Sequence, residues 1–156
     1  MNLKLLVAIT GFLALIVAGI YVMQRSNEKT TDVLPAVEET AAALPNVIEV
    51  ADTQAKRTQG LSGRDIVADD YGMLFVFDAA GRHGFWMKDM KVAIDIIWIA
   101  EEGSIVYIEH NLAPDSYPTV VTPPTPARYV LETRAGYARE RDWGVGTKLE
   151  LAPYQN

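Results

Sequence analysis

The sequence contains no cysteine. That excludes disulfides, thiolate zinc sites, a cysteine nucleophile and the lipid-carrying cysteine of a bacterial lipoprotein, while leaving either side of a membrane open. Histidine is nearly as scarce, with His83 and His110 alone. None of Ser26, Ser62, Ser104 and Ser116 sits in a G-x-S-x-G elbow, so a Ser-His-Asp triad has no supporting motif. Positive charge is also in deficit. From Asn46 onward there are 16 acidic and 11 basic residues, a net charge of −5. An acidic domain lacks the basic face that nucleic acid requires, and it has no polybasic patch for anionic lipid. No internal repeat is visible. No motif asks for an organic cofactor.

One long apolar run is present. Leu5–Met23 carries no charge over 19 residues, and in a helix it reaches roughly 28 Å, close to the hydrocarbon core of about 30 Å. A cleaved signal peptide has a shorter apolar stretch and small residues at its cleavage site. Val17 and Gly19 meet that requirement weakly, and the run continues through Ile20–Met23. Residues 1–23 therefore read as a retained single-pass anchor, with secretion to the periplasm after cleavage as the alternative. The expected location is the cell membrane, with the following domain on the extracytoplasmic side, because a domain of this length is not held back by loop charge. Residues 24–45 carry few large apolar groups and two prolines, and read as a flexible linker. The globular domain is expected over 46–156.

Short alternating segments fill that domain. Val47–Ala51 reads as a first strand, and Asp52 or Thr53 caps a short helix through Thr58 that Gly60 ends. Gly72–Phe77 and Phe85–Lys88 read as strands. Ile94–Ala100 and Ser104–Glu109 flank Glu101-Glu102-Gly103 as a β-hairpin. Arg128–Thr133 is a further strand, Tyr137–Trp143 a turn or two of helix, and Lys148–Leu151 a closing strand. Asn111–Pro126 holds five of the eight prolines and reads as an irregular loop. The expected class is mainly β, or β-rich α+β: a compact antiparallel barrel or folded sandwich with one or two short helices, preceded by the hydrophobic helix.

Gly60-Leu61 with Arg64, Gly72-Met73-Leu74-Phe75, Phe85-Trp86-Met87-Lys88, Ile94-Asp95-Ile96-Ile97 and Tyr129-Val130-Leu131-Glu132 follow one another in the order of a known microbial family. From about Val47 to Leu151 the chain resembles domain of unknown function 192. The resemblance implies a compact, mostly β fold, often exported, and no established activity. After Lys88 the family shows Asn then Thr, whereas this chain has Asp89 then Met90.

The candidate ligand-binding residues are Arg64, Trp86, Lys88, Asp95 and Glu132. Ile94, Ile96 and Trp98 share one strand face, and Asp95, Ile97 and Ile99 the other. Both faces are apolar, so this strand is expected to be central and covered on both sides, and Asp95 then needs a cation or several donors. Lys88 and Arg64 are the expected partners, in a ligand site or as a buried structural pair. In Phe85–Lys88 the alternation places Trp86 and Lys88 together, an aromatic plate beside an ammonium that suits a sugar or peptide groove. The packing alternative, preferred for Trp86, makes it a core residue overlaid by the Lys88 stem. Arg128 and Glu132 share a strand face across Val130.

The leading expectation is a membrane-tethered, extracytoplasmic, non-enzymatic module that binds an envelope glycan or a partner protein. The alternatives are an envelope hydrolase or lyase using Asp95 and Glu132 as acid and base, and a Cu(I)-binding module. For copper, His83, Met87 and Met90 supply imidazole and thioether ligands, against the packing role usual for methionine.

Overall fold

Two edge strands that never meet define the architecture. The computed structural model describes residues 41–154, which form a five-stranded sheet in the order β1-β2-β5-β3-β4. The strands are β1 (Val47–Ala51), β2 (Tyr71–Gly81), β3 (Ile94–Ile99), β4 (Ile105–Leu112) and β5 (Ala127–Arg134). Two helices, α1 (Gln54–Gln59) and α2 (Tyr137–Glu140), and two 3-10 turns at Pro114–Ser116 and Ala152–Tyr154 complete it. The expected anchor at 1–23 lies outside the described residues, as does the linker up to residue 40. Among the described residues no helix is long and apolar enough to cross a membrane.

The β-rich class is as the sequence implies, but the sheet is neither a closed barrel nor an all-antiparallel sandwich. β1 runs parallel to β2, with Val47 opposite Tyr71, while β2–β5, β5–β3 and β3–β4 are antiparallel. A parallel pair needs a crossover connection, and residues 52–70, including α1, supply it. Side-chain alternation carries no information on strand direction, which is why the mixed order was not legible.

The sheet buries both faces. One core holds Met73, Phe75, Ile94, Ile96, Trp98 and Val130, covered by Leu61, Phe85 and Met87. The other holds Leu74, Ile97, Ile99, Tyr129 and Leu131, covered by Tyr137, Trp143, Leu149 and Leu151. β3 lies between β5 and β4, and all six of its residues are buried, as two apolar faces require. The β3–β4 hairpin turns at Gly103, whose φ of +93° and close approach to the Leu149 carbonyl exclude a side chain.

Three expected elements differ. Phe85–Lys88 is not a strand but an extended segment held by one bridge, Phe85 to Val121. Lys148–Leu151 makes single bridges, Lys148 to Ser104 and Leu149 to Ala42. Residues 41–45, read as linker, pack on the domain: Ala42 N–H donates to Lys148 O (2.7 Å), Glu150 N–H donates to Ala42 O (2.9 Å), and Ala42 and Leu44 lie against the second core.

Candidate functional site

The first core leaves one outer margin where polar side chains gather around an aromatic ring. On one side stands α1. Thr53 caps it, its hydroxyl accepting from Lys56 N–H (3.3 Å), and Gly60 ends it at φ +50°, ψ −140°, a conformation suited to glycine. Opposite stands the segment 84–89. Its Phe85 exchanges two backbone hydrogen bonds with Val121 (2.9 and 2.8 Å), and Phe85 and Met87 are sunk in the core. Their alternation turns Trp86 and Lys88 outward. Trp86 is 50% exposed, so the core position preferred for it is corrected: its neighbours, not Trp86, fill the core.

Two hollows meet at this ring. One, of about 230 Å³, is lined on its polar side by Gln54, Arg57, Thr58 and His83, with Phe77, Phe85 and Trp86 as aromatic wall. The other, of about 330 Å³, is lined by Thr58, Gln59, Ser62, Trp86, Lys88 and Asp89, with Gly63. Thr58 and Trp86 belong to both, so the hollows form one groove with Trp86 at its middle. The groove walls are tied together: Ser62 Oγ donates to Lys88 O (2.8 Å), and Gly63 N–H donates to Asp89 O (2.8 Å). No aliphatic Val, Leu, Ile or Met side chain lines either hollow.

Arg64 and Glu132 form a separate cluster beneath the exit of α1. Glu132 is buried, opposite Met73 on β2 and Ile96 on β3. The Leu61 backbone N–H donates to it, but burial prevails and pushes its carboxyl up to about 8, against the opposing pull of Leu61 and Arg64. Its Oε2 has no hydrogen-bond partner and lies against Gly60, 3.4 Å from where a Cβ would stand. Arg64 itself binds Glu49 Oε2 (2.8 Å) and the Tyr71 hydroxyl (2.9 Å). Tyr71 donates to Glu49 Oε2 (2.5 Å), and burial together with that carboxylate pushes the phenol up to about 12.

Asp95 belongs to neither group. It is fully buried and accepts from three backbone N–H groups, Asn111 (2.9 Å), Gly136 (3.1 Å) and Ala138 (3.0 Å). The expected pairing with Lys88 or Arg64 is thus replaced by backbone donors, which tie β3 to the end of β4 and the start of α2. Lys88 points away into the groove. The candidate copper ligands are dispersed in role: Met87 is a core residue and Met90 packs against that core, while His83 stacks flat on Phe77 (3.5 Å between ring centres) with Nε2 3.2 Å from Ala79 O. Among the described residues no three His, Asp or Glu side chains gather to hold a metal. Gln54, Arg57, Thr58 and Gln59 were not singled out in the sequence, where a six-residue helix without any buried position offers no apolar stripe to orient it.

A family model, DUF192, described as uncharacterized ACR, matches residues 36–151. No curated protein matches the chain. Among solved structures, the chain is 34% identical to a protein from Sinorhizobium meliloti 1021 provisionally described as a transcription regulator, with a TM-score of 0.63 over 66% of this chain and 79% of that one. It is 29% identical to a protein of unknown function from Novosphingobium aromaticivorans DSM 12444, with a TM-score of 0.62 over 65% of this chain and 71% of that one.

Proposed function

We propose that this chain, which belongs to the DUF192 family, is a tethered extracytoplasmic module that binds an envelope glycan in the groove around Trp86. The observation that carries the reading is a half-exposed indole between two hollows lined by amide, hydroxyl and charged side chains and by no aliphatic one. The apolar C–H face of a pyranose covers an indole while its hydroxyls bond to Gln, Thr and Ser at the rim. A protein partner calls instead for apolar anchor pockets with aliphatic as well as aromatic walls, and no aliphatic side chain lines this groove.

The location rests on Leu5–Met23, long and apolar enough to anchor the chain. A hydrolytic role for the same carboxylates is disfavoured. Asp95 and Glu132 lie on opposite faces of the sheet, and one carboxylate, Asp89, lines the groove, where a pair is needed. A regulatory role on nucleic acid, suggested by the name of the Sinorhizobium relative, runs against a domain net charge of −5.

Tryptophan fluorescence tests the reading. Trp98 is fully buried and Trp143 6% exposed, so a ligand in the groove changes the emission of Trp86 alone. Titration with soluble envelope oligosaccharides should give a saturable blue shift that Trp86→Phe removes. Absence of any shift across peptidoglycan, capsular and lipopolysaccharide fragments would reject the glycan.

A further inference from the structure

Arg57 is the one groove residue whose charged group is locked in place. Its Nη1 donates to Asp52 O and to Val76 O, both at 2.9 Å, and the guanidinium carbon lies 5.3 Å from the centre of the Phe77 ring. Both acceptors are neutral carbonyls, and the Asp52 carboxylate, which feels the Arg57 charge from a distance, is itself paired with Lys56 at 2.8 Å, so no acid neutralises Arg57 by direct contact. Six of the eleven basic residues in the described region have a carboxylate within 4.0 Å. Arg57 does not, and nothing among the described residues accepts from its Nε or Nη2. The other titratable group lining this hollow is His83, held below its usual value first by burial and further by the Arg57 charge, so it is neutral at pH 7. No acid lines this hollow, whereas Asp89 sits beside Lys88 in the neighbouring one.

We infer that the hollow shared by Arg57 and Trp86 takes an acidic sugar, its anionic group on the open Nε–Nη2 edge of Arg57 and its ring against Trp86. This rests on the glycan reading above and names the class of glycan. A guanidinium presents two parallel N–H donors along that edge, which fit the two oxygens of a carboxylate or phosphate. Because the protein already fixes Nη1, little side-chain freedom is lost on binding. The domain is otherwise acidic, so a cation in its groove with no carboxylate in contact discriminates in favour of anions locally while the surface repels them elsewhere.

The test uses the full chain in detergent and three probes: a galacturonic acid trisaccharide, the same trisaccharide methyl-esterified, and a hexose phosphate. The free acid should bind at least about tenfold more tightly than its ester, as a charge-assisted two-point contact requires, and the ratio should shrink as salt is raised. Arg57→Gln should bring the ratio near one, and Arg57→Lys, which keeps the charge but not the fork, should retain part of it. Binding of the hexose phosphate above that of the uronate would assign the anion as phosphate, the reverse as carboxylate. Equal binding of acid and ester overturns the inference and leaves the glycan groove standing. A preference that survives Arg57→Gln removes it from Arg57. Failure of all three probes to bind overturns the inference, whereas the glycan reading falls only if the envelope fragments also leave the Trp86 emission unchanged.

Discussion

Asp95 and Glu132 are diagonal neighbours on adjacent strands and yet point to opposite faces of the sheet. Asp95 sits opposite Thr133, and Glu132 opposite Ile96. Cross-strand partners share a face and consecutive residues do not. The two buried carboxylates are therefore separated by the sheet itself, and no single substrate reaches both. Their environments differ as sharply. Asp95 has three N–H donors, whereas Glu132 keeps one oxygen without a partner.

Asp95→Asn is expected to destabilise the domain by about 2–4 kcal/mol, because an amide turns a donor toward backbone N–H groups that need an acceptor. Denaturant unfolding beside Asp65→Asn, an exposed control paired with Lys91, measures the difference. A cost no larger than the control's would show that the three N–H bonds contribute little.

Glu132 sets a pH dependence of known sign. Its folded value of about 8 lies above the usual 4.5, so between those values the folded state keeps a proton that the unfolded chain releases. Its contribution to stability is complete below pH 4.5, falls as pH rises and is lost above about 8, by a few kcal/mol at most. Glu132→Gln should flatten that slope between pH 5 and 8. Identical slopes in wild type and variant would place the titration elsewhere.

The two tryptophans of the first core's margin should respond oppositely. Trp86→Ala, at a half-exposed position, should change stability by less than about 1 kcal/mol. Trp98 is fully buried and donates Nε1–H to His83 O (2.9 Å), so Trp98→Phe should cost about 1–3 kcal/mol through a lost bond and a void. Thermal or denaturant unfolding of both variants decides this.

Residues 41–45 should be part of the folding unit. A chain beginning at Asn46 loses the two Ala42 hydrogen bonds and the packing of Ala42 and Leu44, and should be less stable than one beginning at Ala36 by about 1–3 kcal/mol. Equal unfolding midpoints would return these residues to the linker.

Export is tested by joining a reporter to Asn156 that works outside the cytoplasm alone. Signal is expected, and activity of a cytoplasm-dependent reporter at that position would overturn the proposed location.

Several features were decided by the sequence itself. Apolar alternation on both faces of Ile94–Ile99 marks an interior strand, Asp52 or Thr53 and Gly60 bound α1 by cap chemistry, with Thr53 the cap in the structure, and Glu101–Gly103 sets the β3–β4 hairpin. Each is a local rule, satisfied within a few residues. The inward and outward sense of Phe85–Lys88 was likewise readable from alternation. Which outward side chain would be covered was not, because cover for Trp86 depends on residues 54–63 and 119–122 arriving from elsewhere. Tertiary structure alone decided that β1 joins parallel, that Asp95 finds backbone donors instead of Lys88 or Arg64, and that Arg57 enters the groove. Strand order and the donors around a buried carboxylate are long-range quantities. They follow from how the crossover through α1 and the turn into α2 close on the sheet, and residue spacing along the chain does not encode them.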